Sequence, residues 1–323
     1  MTGTFAASLF LLGVLIQFSQ LSRPSPPPPS SPSPTVVRTA DPAKRGLKDT
    51  EFPRTVKVSD NVYTYEDFHA GAEKFTTTDL FVVTPDGVLV ADGQGSPTAT
   101  AGLVDAIRRV TDKPIRYVII CTDHGDHTGG NASFPPGVLY LVHPASKAAL
   151  DQQAAGQPNA WKLPAAATLV MGTYTIAMGG EEFQVLFLGR AHTGGDLSVW
   201  LPKQRILFMS ETFLNRVFPA MRSAYPTDWL GALARAEQMN ADTYIPGHGF
   251  TESAAVSKEE LRAYHHALQT VIAEATRLYR AGVPVDEAIA QANVGEYASW
   301  TLAGSQKPIA IRKVYEELDT QPK

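Results

Sequence analysis

The stretch Thr122-Asp123-His124-Gly125-Asp126-His127-Thr128-Gly129-Gly130 crowds two imidazoles and two carboxylates onto one tight loop. The apolar run Tyr117-Val118-Ile119-Ile120-Cys121 leads straight into it and reads as a buried strand. Imidazole and carboxylate gathered at a strand end are the donor types that a hard-to-borderline divalent cation needs. Two further histidines follow downstream: His192 in Gly189-Arg190-Ala191-His192-Thr193-Gly194-Gly195-Asp196, and His248 in Pro246-Gly247-His248-Gly249. Both histidines follow apolar runs of their own, so each belongs just past a strand.

In order and spacing these blocks resemble the metallo-β-lactamase superfamily, whose signature is His-x-His-x-Asp-His, a later His, an Asp after a further strand, and a last His. The resemblance runs from about Tyr63 to His248. It implies that Asp126, His127 and His248 hold one ion, that His124 and His192 hold a second, and that the carboxylate at Glu211 bridges. Two departures are visible. Thr122 stands where the family has its first His, and Glu211 stands where it has Asp. A neutral threonine hydroxyl is a poor zinc ligand. The expectation is therefore unequal occupancy: one zinc bound tightly and a second bound weakly or only with substrate, iron being an alternative metal. Asp123 is a further candidate for the depleted position, although on an extended loop its side chain should point away from its neighbours.

A divalent ion bound in such a loop lowers the pKa of water toward ~7 and polarises a carbonyl or phosphoryl oxygen. With the resemblance, this points to hydrolysis of an ester, lactone, thioester or amide, β-lactams among them, with Asp126 orienting or deprotonating the nucleophile. Two alternatives are an iron-dependent oxidoreductase acting on sulfur compounds and a non-catalytic binding protein with a degenerate second position. Around the core set, His69 is a candidate substrate contact. Asp92 and Asp196 are candidates to accept a hydrogen bond from a ligand histidine. Arg190, Arg216 and Arg222 are candidates to meet an anionic substrate, and Tyr225 and Trp229 to line the pocket or pack. His143 before Pro144 reads as the opening of a helix, and His265-His266 as part of an ordinary helix face.

The elements that must carry these residues are short strands alternating with helices. Strands are expected over 55–58, 62–65, 79–84 and 88–91, the last two joined by the Pro85-Asp86-Gly87 turn. A helix over 98–110 follows, with Leu103, Ile107 and Val110 at helical spacing. Strands over 114–121 and 137–142 and a helix over 143–155 complete a first half. The second half has strands over 173–177, 183–188, 197–201, 206–209 and 243–245 and a helix over 228–239. Alternation in two similar halves is the pattern of an α/β fold with two packed sheets and helices outside, the αββα sandwich that the resemblance implies. Beyond it, helices are expected over 257–281, 285–292 and 309–318, a C-terminal extension over 253–323 that caps the site or forms a dimer surface.

Composition narrows the classes. The chain has 323 residues, 44% hydrophobic and 19% charged, which is ordinary for a globular protein. A net charge of −4 without a Lys/Arg cluster gives no footprint for nucleic acid, so the expected partner is a small molecule. The lone Cys121 excludes an intrachain disulfide and reads as a small buried hydrophobe. The apolar run from Phe5 to Phe18 is short for a membrane span of ~20 residues and reads as an export signal or an uncleaved anchor over 1–22. No Lys or Arg precedes that run, and no clean small-x-small site follows it. A Pro/Ser-rich linker over 23–50 leads to the domain expected over 51–252. Together these features imply a catalytic domain outside the cytoplasm, periplasmic or secreted, with a tether to the membrane as one form; a disordered cytosolic tail is the alternative.

Overall fold

Two sheets lie face to face in the computed structural model, which describes residues 1–3, 37–69, 74–157 and 160–320. Residues 4–22 of the expected export signal, and residues 23–36, the first half of the Pro/Ser-rich linker, lie outside the described residues. The chain divides at residue 36, and Val37–Lys323 forms one compact unit. The first sheet runs β1 (Arg54–Lys57), β2 (Val62–Phe68), β3 (Thr76–Thr84), β4 (Gly87–Ala91), β5 (Ile115–Ile120), β6 (Leu139–Val142) and β7 (Thr168–Leu169), in that spatial order. The second has the order β12 (Thr243–Ile245), β11 (Ile206–Phe208), β10 (Leu197–Leu201), β9 (Glu181–Phe187), β8 (Thr173–Met178). Helices α1 (Pro97–Val110), α2 (Gly125–Thr128), α3 (Pro144–Ala154) and α4 (Pro226–Gln238) punctuate the strands, and α5 (Ala254–Arg280), α6 (Val285–Gln291) and α7 (Ala303–Asp319) follow.

Strand periodicity sorts the side chains into layers. On β3, Leu80 and Val82 enter the core between the sheets, while Phe81 points to α1. On β5, Ile119 faces the inter-sheet core and Val118 and Ile120 face α1, with Cys121 following on the inter-sheet side. From the opposing sheet Phe183, Val185, Val199 and Phe208 close the same core, and Leu207 and Leu186 turn outward onto Trp229 and Leu233 of α4 and Tyr264 of α5. Three apolar layers between four structural layers make the αββα sandwich. Each fully buried side chain of this kind contributes about 1.5–3 kcal/mol; truncating Phe183 to Ala would cost about 3–5 kcal/mol.

This topology brings the polar loops to one rim. Strands β4, β5 and β6 are parallel, as are β11 and β12, and β10 runs back between β9 and β11, so the C-terminal ends of β9, β11 and β12 share an edge. The Leu197 N–H donates to the Cys121 carbonyl at 2.8 Å and fixes the two sheets to each other at that edge. Strand β3 begins at Thr76, earlier than its apolar pattern indicates, because Thr76, Thr77 and Thr78 pair with β2 on one side and with the His248 loop on the other.

Residues 37–50, the described part of the Pro/Ser-rich segment, lie against the domain. Ala40 is fully buried, Arg45 pairs with Glu252 at 2.5 Å, and Arg38 pairs with Glu259 and Glu260. The C-terminal helices share one core with α4 and the second sheet. Helix α7 starts six residues before the expected 309, because Pro308 sits in the first turns of the helix rather than ahead of it. Among the described residues, no helix is long and apolar enough to cross a membrane.

Candidate metal centre

Four loops supply the donors. His124, Asp126 and His127 follow β5, and α2 puts Asp126 and His127 in consecutive positions of one short turn. His192 lies in the β9–β10 connection, Glu211 in a 3-10 turn after β11, and His248 just past β12. Glycines flank His248 for two reasons: a Cβ on Gly247 would lie 2.5 Å from the Ser210 carbonyl carbon, and Gly249 has φ +84° with the Asn215 carbonyl against its face.

Two clusters form, and Glu211 belongs to both. The first joins Asp126, His127, Glu211 and His248; the second joins His124, His192 and Glu211. In the first, His248 Nε2 lies 3.1 Å from Asp126 Oδ2, 3.3 Å from Glu211 Oε1 and 3.4 Å from His127 Nε2. In the second, His124 Nδ1 is 2.9 Å from Glu211 Oε2, His192 Nε2 is 3.1 Å from Glu211 Oε1, and the two ring nitrogens are 3.0 Å apart. Ligands at ~2.0–2.1 Å around a tetrahedral ion are separated by roughly 3.3–3.4 Å. These spacings are close to that edge length, so the donor set fits a divalent ion in each cluster.

The electrostatics agree. Burial opposes a charge on His248, but Asp126 and Glu211 outweigh it and push the ring up to about 10. Burial likewise opposes charge on His124 and His127, yet Glu211 and Asp126 respectively lead the groups that raise each to about 9. Burial and the Glu211 charge work against ionisation of Asp126, and His127, His248 and His69 hold it well below the usual carboxylate range all the same. Burial also opposes the Glu211 charge, and His192 and His124 hold that carboxylate low. Carboxylates that stay ionised inside a ring of imidazoles make a site where a cation replaces protons.

Supporting contacts fix ring orientation. His248 Nδ1 faces the Thr76 carbonyl at 3.0 Å, which leaves Nε2 as the donor. His127 Nδ1 lies 3.3 Å from Asp92 Oδ2, an ion-pair distance without hydrogen-bond alignment. Asp92, at φ +63°, accepts the Cys121 N–H at 2.8 Å and the Ser210 hydroxyl at 2.5 Å, and so ties three loops together. Asp196 differs from its expected role. Both its oxygens are spent on the Thr193 N–H and hydroxyl, at 2.6 and 2.8 Å, and His192 Nδ1 has no partner among the described residues. Burial pushes Asp196 up to about 6.

The remaining candidates separate clearly. Thr122 donates to Glu211 Oε2 at 2.7 Å. Asp123 enters neither cluster. His69 reaches the centre, with Nε2 3.4 Å from Asp126 Oδ2 and its ring stacked on Phe75. Arg190 pairs with Asp228, and Arg216 with Glu260; Trp229 packs edge-on to His192 and donates to the Thr212 carbonyl. His143 caps α3, His265 pairs with Glu237 and His266 meets Tyr297. Cys121 is fully buried, and burial raises its thiol, so it packs as a neutral group. A cleft of about 330 Å³ opens onto both clusters, walled by Phe75, Leu214, Val217 and Leu302, with Arg222 and Gln306 as polar lining. Sequence patterning missed Thr76, Ser210, Leu302 and Gln306. Nothing local marks them, since each acts through a contact with a distant loop.

A centre of this composition at the rim of an αββα sandwich defines a class of metal-binding domain. Residues 75–248 match the pattern of the metallo-beta-lactamase superfamily, and the chain belongs to that superfamily. It is similar to the 2,4-dinitroanisole O-demethylase subunit alpha of Nocardioides sp. (strain JS1661), 28% identical over 229 residues, covering 70% of this chain and 66% of that one. It is also similar to the metallo-beta-lactamase type 2 of Elizabethkingia meningoseptica, 22% identical and covering 62% of this chain and 80% of that one. Among solved structures, a metallo-beta-lactamase from Pontibacter korlensis has the same fold, with a TM-score of 0.59 at 22% identity over 67% of this chain and 98% of the other. Members of the superfamily bind divalent metals, and most are metal-dependent hydrolases.

Proposed function

We propose that the chain is a zinc-dependent hydrolase of a small, largely apolar ester, lactone, thioester or amide. The observation that carries this reading is the convergence of Asp126, His127, Glu211 and His248, far apart in sequence, beside His124 and His192 at the floor of an open cleft. Zinc held there supplies Lewis acidity and an acidified water. Asp126 is the more exposed of the two carboxylates, its side chain 24% accessible against 3% for Glu211. Held ionised, it accepts a hydrogen bond from the attacking water and orients it. His69 Nε2, 3.4 Å from Asp126, is placed to move a proton toward the leaving group. Phe75, Leu214 and Val217 exclude water from the apolar part of the substrate, and Arg222 and Gln306 donate to an acceptor group on it.

A second reading is cleavage of an activated aryl methyl ether, supported by the similarity to the O-demethylase subunit and by the apolar, Phe75-walled cleft. The word subunit in that name makes a partner chain part of this second reading. Metal analysis of the purified protein, with turnover of aryl esters, lactones, thioesters, β-lactams and 2,4-dinitroanisole, tests both. Zinc with hydrolysis of one carbonyl class supports the first. Methanol release from the ether supports the second. A protein that binds no metal and turns over none of them ends both. An address outside the cytoplasm is part of the proposal, supported by the apolar Phe5 to Phe18 run and the Pro/Ser stretch; fractionation of cells making the full chain tests it.

A further inference from the structure

We propose that Thr122 and Glu211 are a matched pair, in which Glu211 supplies the third protein ligand on the His124/His192 side and Thr122 is the positioning residue that holds it there. The inference rests on the metal-dependent reading above. Thr122 is fully buried, and its hydroxyl proton points at Glu211 Oε2, 2.7 Å away. The hydroxyl gives its one proton to the carboxylate, and as a neutral oxygen it is a poor ligand beside imidazole and carboxylate, so Thr122 serves the site through Glu211. The same Oε2 lies 2.9 Å from His124 Nδ1, and Oε1 lies 3.1 Å from His192 Nε2. The carboxylate thus completes a triangle with the two rings on the side where Thr122 offers no ligand. Two histidines and one carboxylate with open positions remaining form a competent metal site.

The two positions are coupled by space. An imidazole at 122 carries ring atoms beyond the γ position, and these must enter the 2.7 Å gap that the glutamate carboxylate now closes. An aspartate at 211 is one methylene shorter, ~1.5 Å by a carbon–carbon bond length, and draws away from both His124 and the Thr122 hydroxyl. Either change alone breaks the triangle; the two together exchange one complete set for another.

Zinc stoichiometry by equilibrium dialysis, with the visible spectrum of the cobalt-substituted protein as a coordination signature, tests this without reference to turnover. Wild type is expected to bind two ions per chain. T122S should keep both. T122V, similar in shape but lacking the hydroxyl, should bind the second ion about 10–100-fold more weakly while keeping the first. E211D and T122H should each weaken the second ion, and the T122H/E211D double variant should recover it. Far-UV circular dichroism of each metal-free variant separates misfolding from lost coordination, and T122S and the double variant are the arms that must fold and bind. A T122V protein with two ions and an unchanged cobalt spectrum overturns the pairing, as does a double variant no better than its parents. A wild type that binds no metal overturns the hydrolase reading itself, which keeps the two failures distinct.

Discussion

The rim that carries the metal donors and the wall that closes the cleft are built differently. The rim is braced from beneath by other loops: Thr76 holds His248, and Asp92 holds the Cys121 N–H and Ser210 while facing His127. All of it falls within residues 75–248, the span shared with the superfamily. The wall combines Leu214 and Val217, which follow Glu211, with Leu302 and Gln306 from the C-terminal extension beyond that span. It is held by a short parallel pairing of Val217 with Thr301, by the Phe218 N–H to the Thr301 carbonyl at 2.8 Å, and by Arg216 on the buried Glu260. The metal donors thus lie within the sandwich shared with the superfamily, while the cleft beside them is partly walled by the appended helices. If that division holds, rim variants change metal content and wall variants change substrate affinity.

The largest effect is expected from His248→Ala. It removes a donor from the first cluster and leaves Asp126 and Glu211 with less counter-charge. Loss of metal affinity should exceed the ~100-fold that marks the upper end for a supporting residue, with turnover falling to background. Normal zinc content and normal rate in this variant would dissolve the rim as a functional unit. Asp92→Asn is milder and more discriminating. Asn tolerates the left-handed backbone that residue 92 adopts, so the fold should persist. The first ion should weaken by about 10–100-fold, while the ion held by His124 and His192 stays. Dialysis against graded chelator, read by zinc content, measures it; equal weakening of both ions would show that Asp92 supports the rim only in general.

The rim was also the legible part of the chain. His124, Asp126, His127, His192 and His248 are polar residues set immediately after apolar strands, an arrangement that packing does not require. The strand over 79–84 was readable as a short apolar run, Leu80-Phe81-Val82-Val83, ahead of a Pro-Asp-Gly turn, but only the fold sorts Leu80 and Val82 to the inter-sheet core and Phe81 to α1. The wall was not legible. Leu302 caps, and Gln306 lies on, a helix whose start is hidden by Pro308, since proline more often precedes a helix than sits inside it. Thr76, Thr77 and Thr78 show no alternation because both neighbours of that strand end are protein, β2 on one side and the His248 loop on the other. The sequence also left Asp196 beside His192 as an equal of Asp92. Only the fold reveals that Thr193 takes both of its oxygens.

The strap that joins wall to rim gives the next prediction. Glu260 is buried and engages the Arg216 guanidinium through both oxygens, with Arg38 Nη1 3.3 Å from Oε1. Glu260→Ala leaves Arg216 without its counter-charge at a site from which water is largely excluded. Breaking such a pair costs about 3–5 kcal/mol, and a domain of this size should lose roughly 6–20 °C in melting temperature. Calorimetry with and without zinc reads the result. Because Glu260 touches no metal donor, zinc content below the melting transition should be unchanged. A loss of zinc at 25 °C would mean that the extension braces the rim as well as the wall, and the comparison would fail there.

The smallest effect, and the sharpest for the division of labour, is Gln306→Ala. Gln306 lies on the first turns of α7 and lines the cleft without entering either metal cluster. A hydrogen bond to a neutral acceptor contributes about 0.5–1.5 kcal/mol, so KM should rise roughly 2–10-fold with kcat and zinc content unchanged. Arg222→Ala, which removes a charged donor from the same wall, should move KM in the same direction and further for substrates carrying an anionic or nitro group. A fall in kcat with KM constant would assign Gln306 to the transition state instead. It would place part of the chemistry in the extension, which the shared sandwich would then be unable to perform alone.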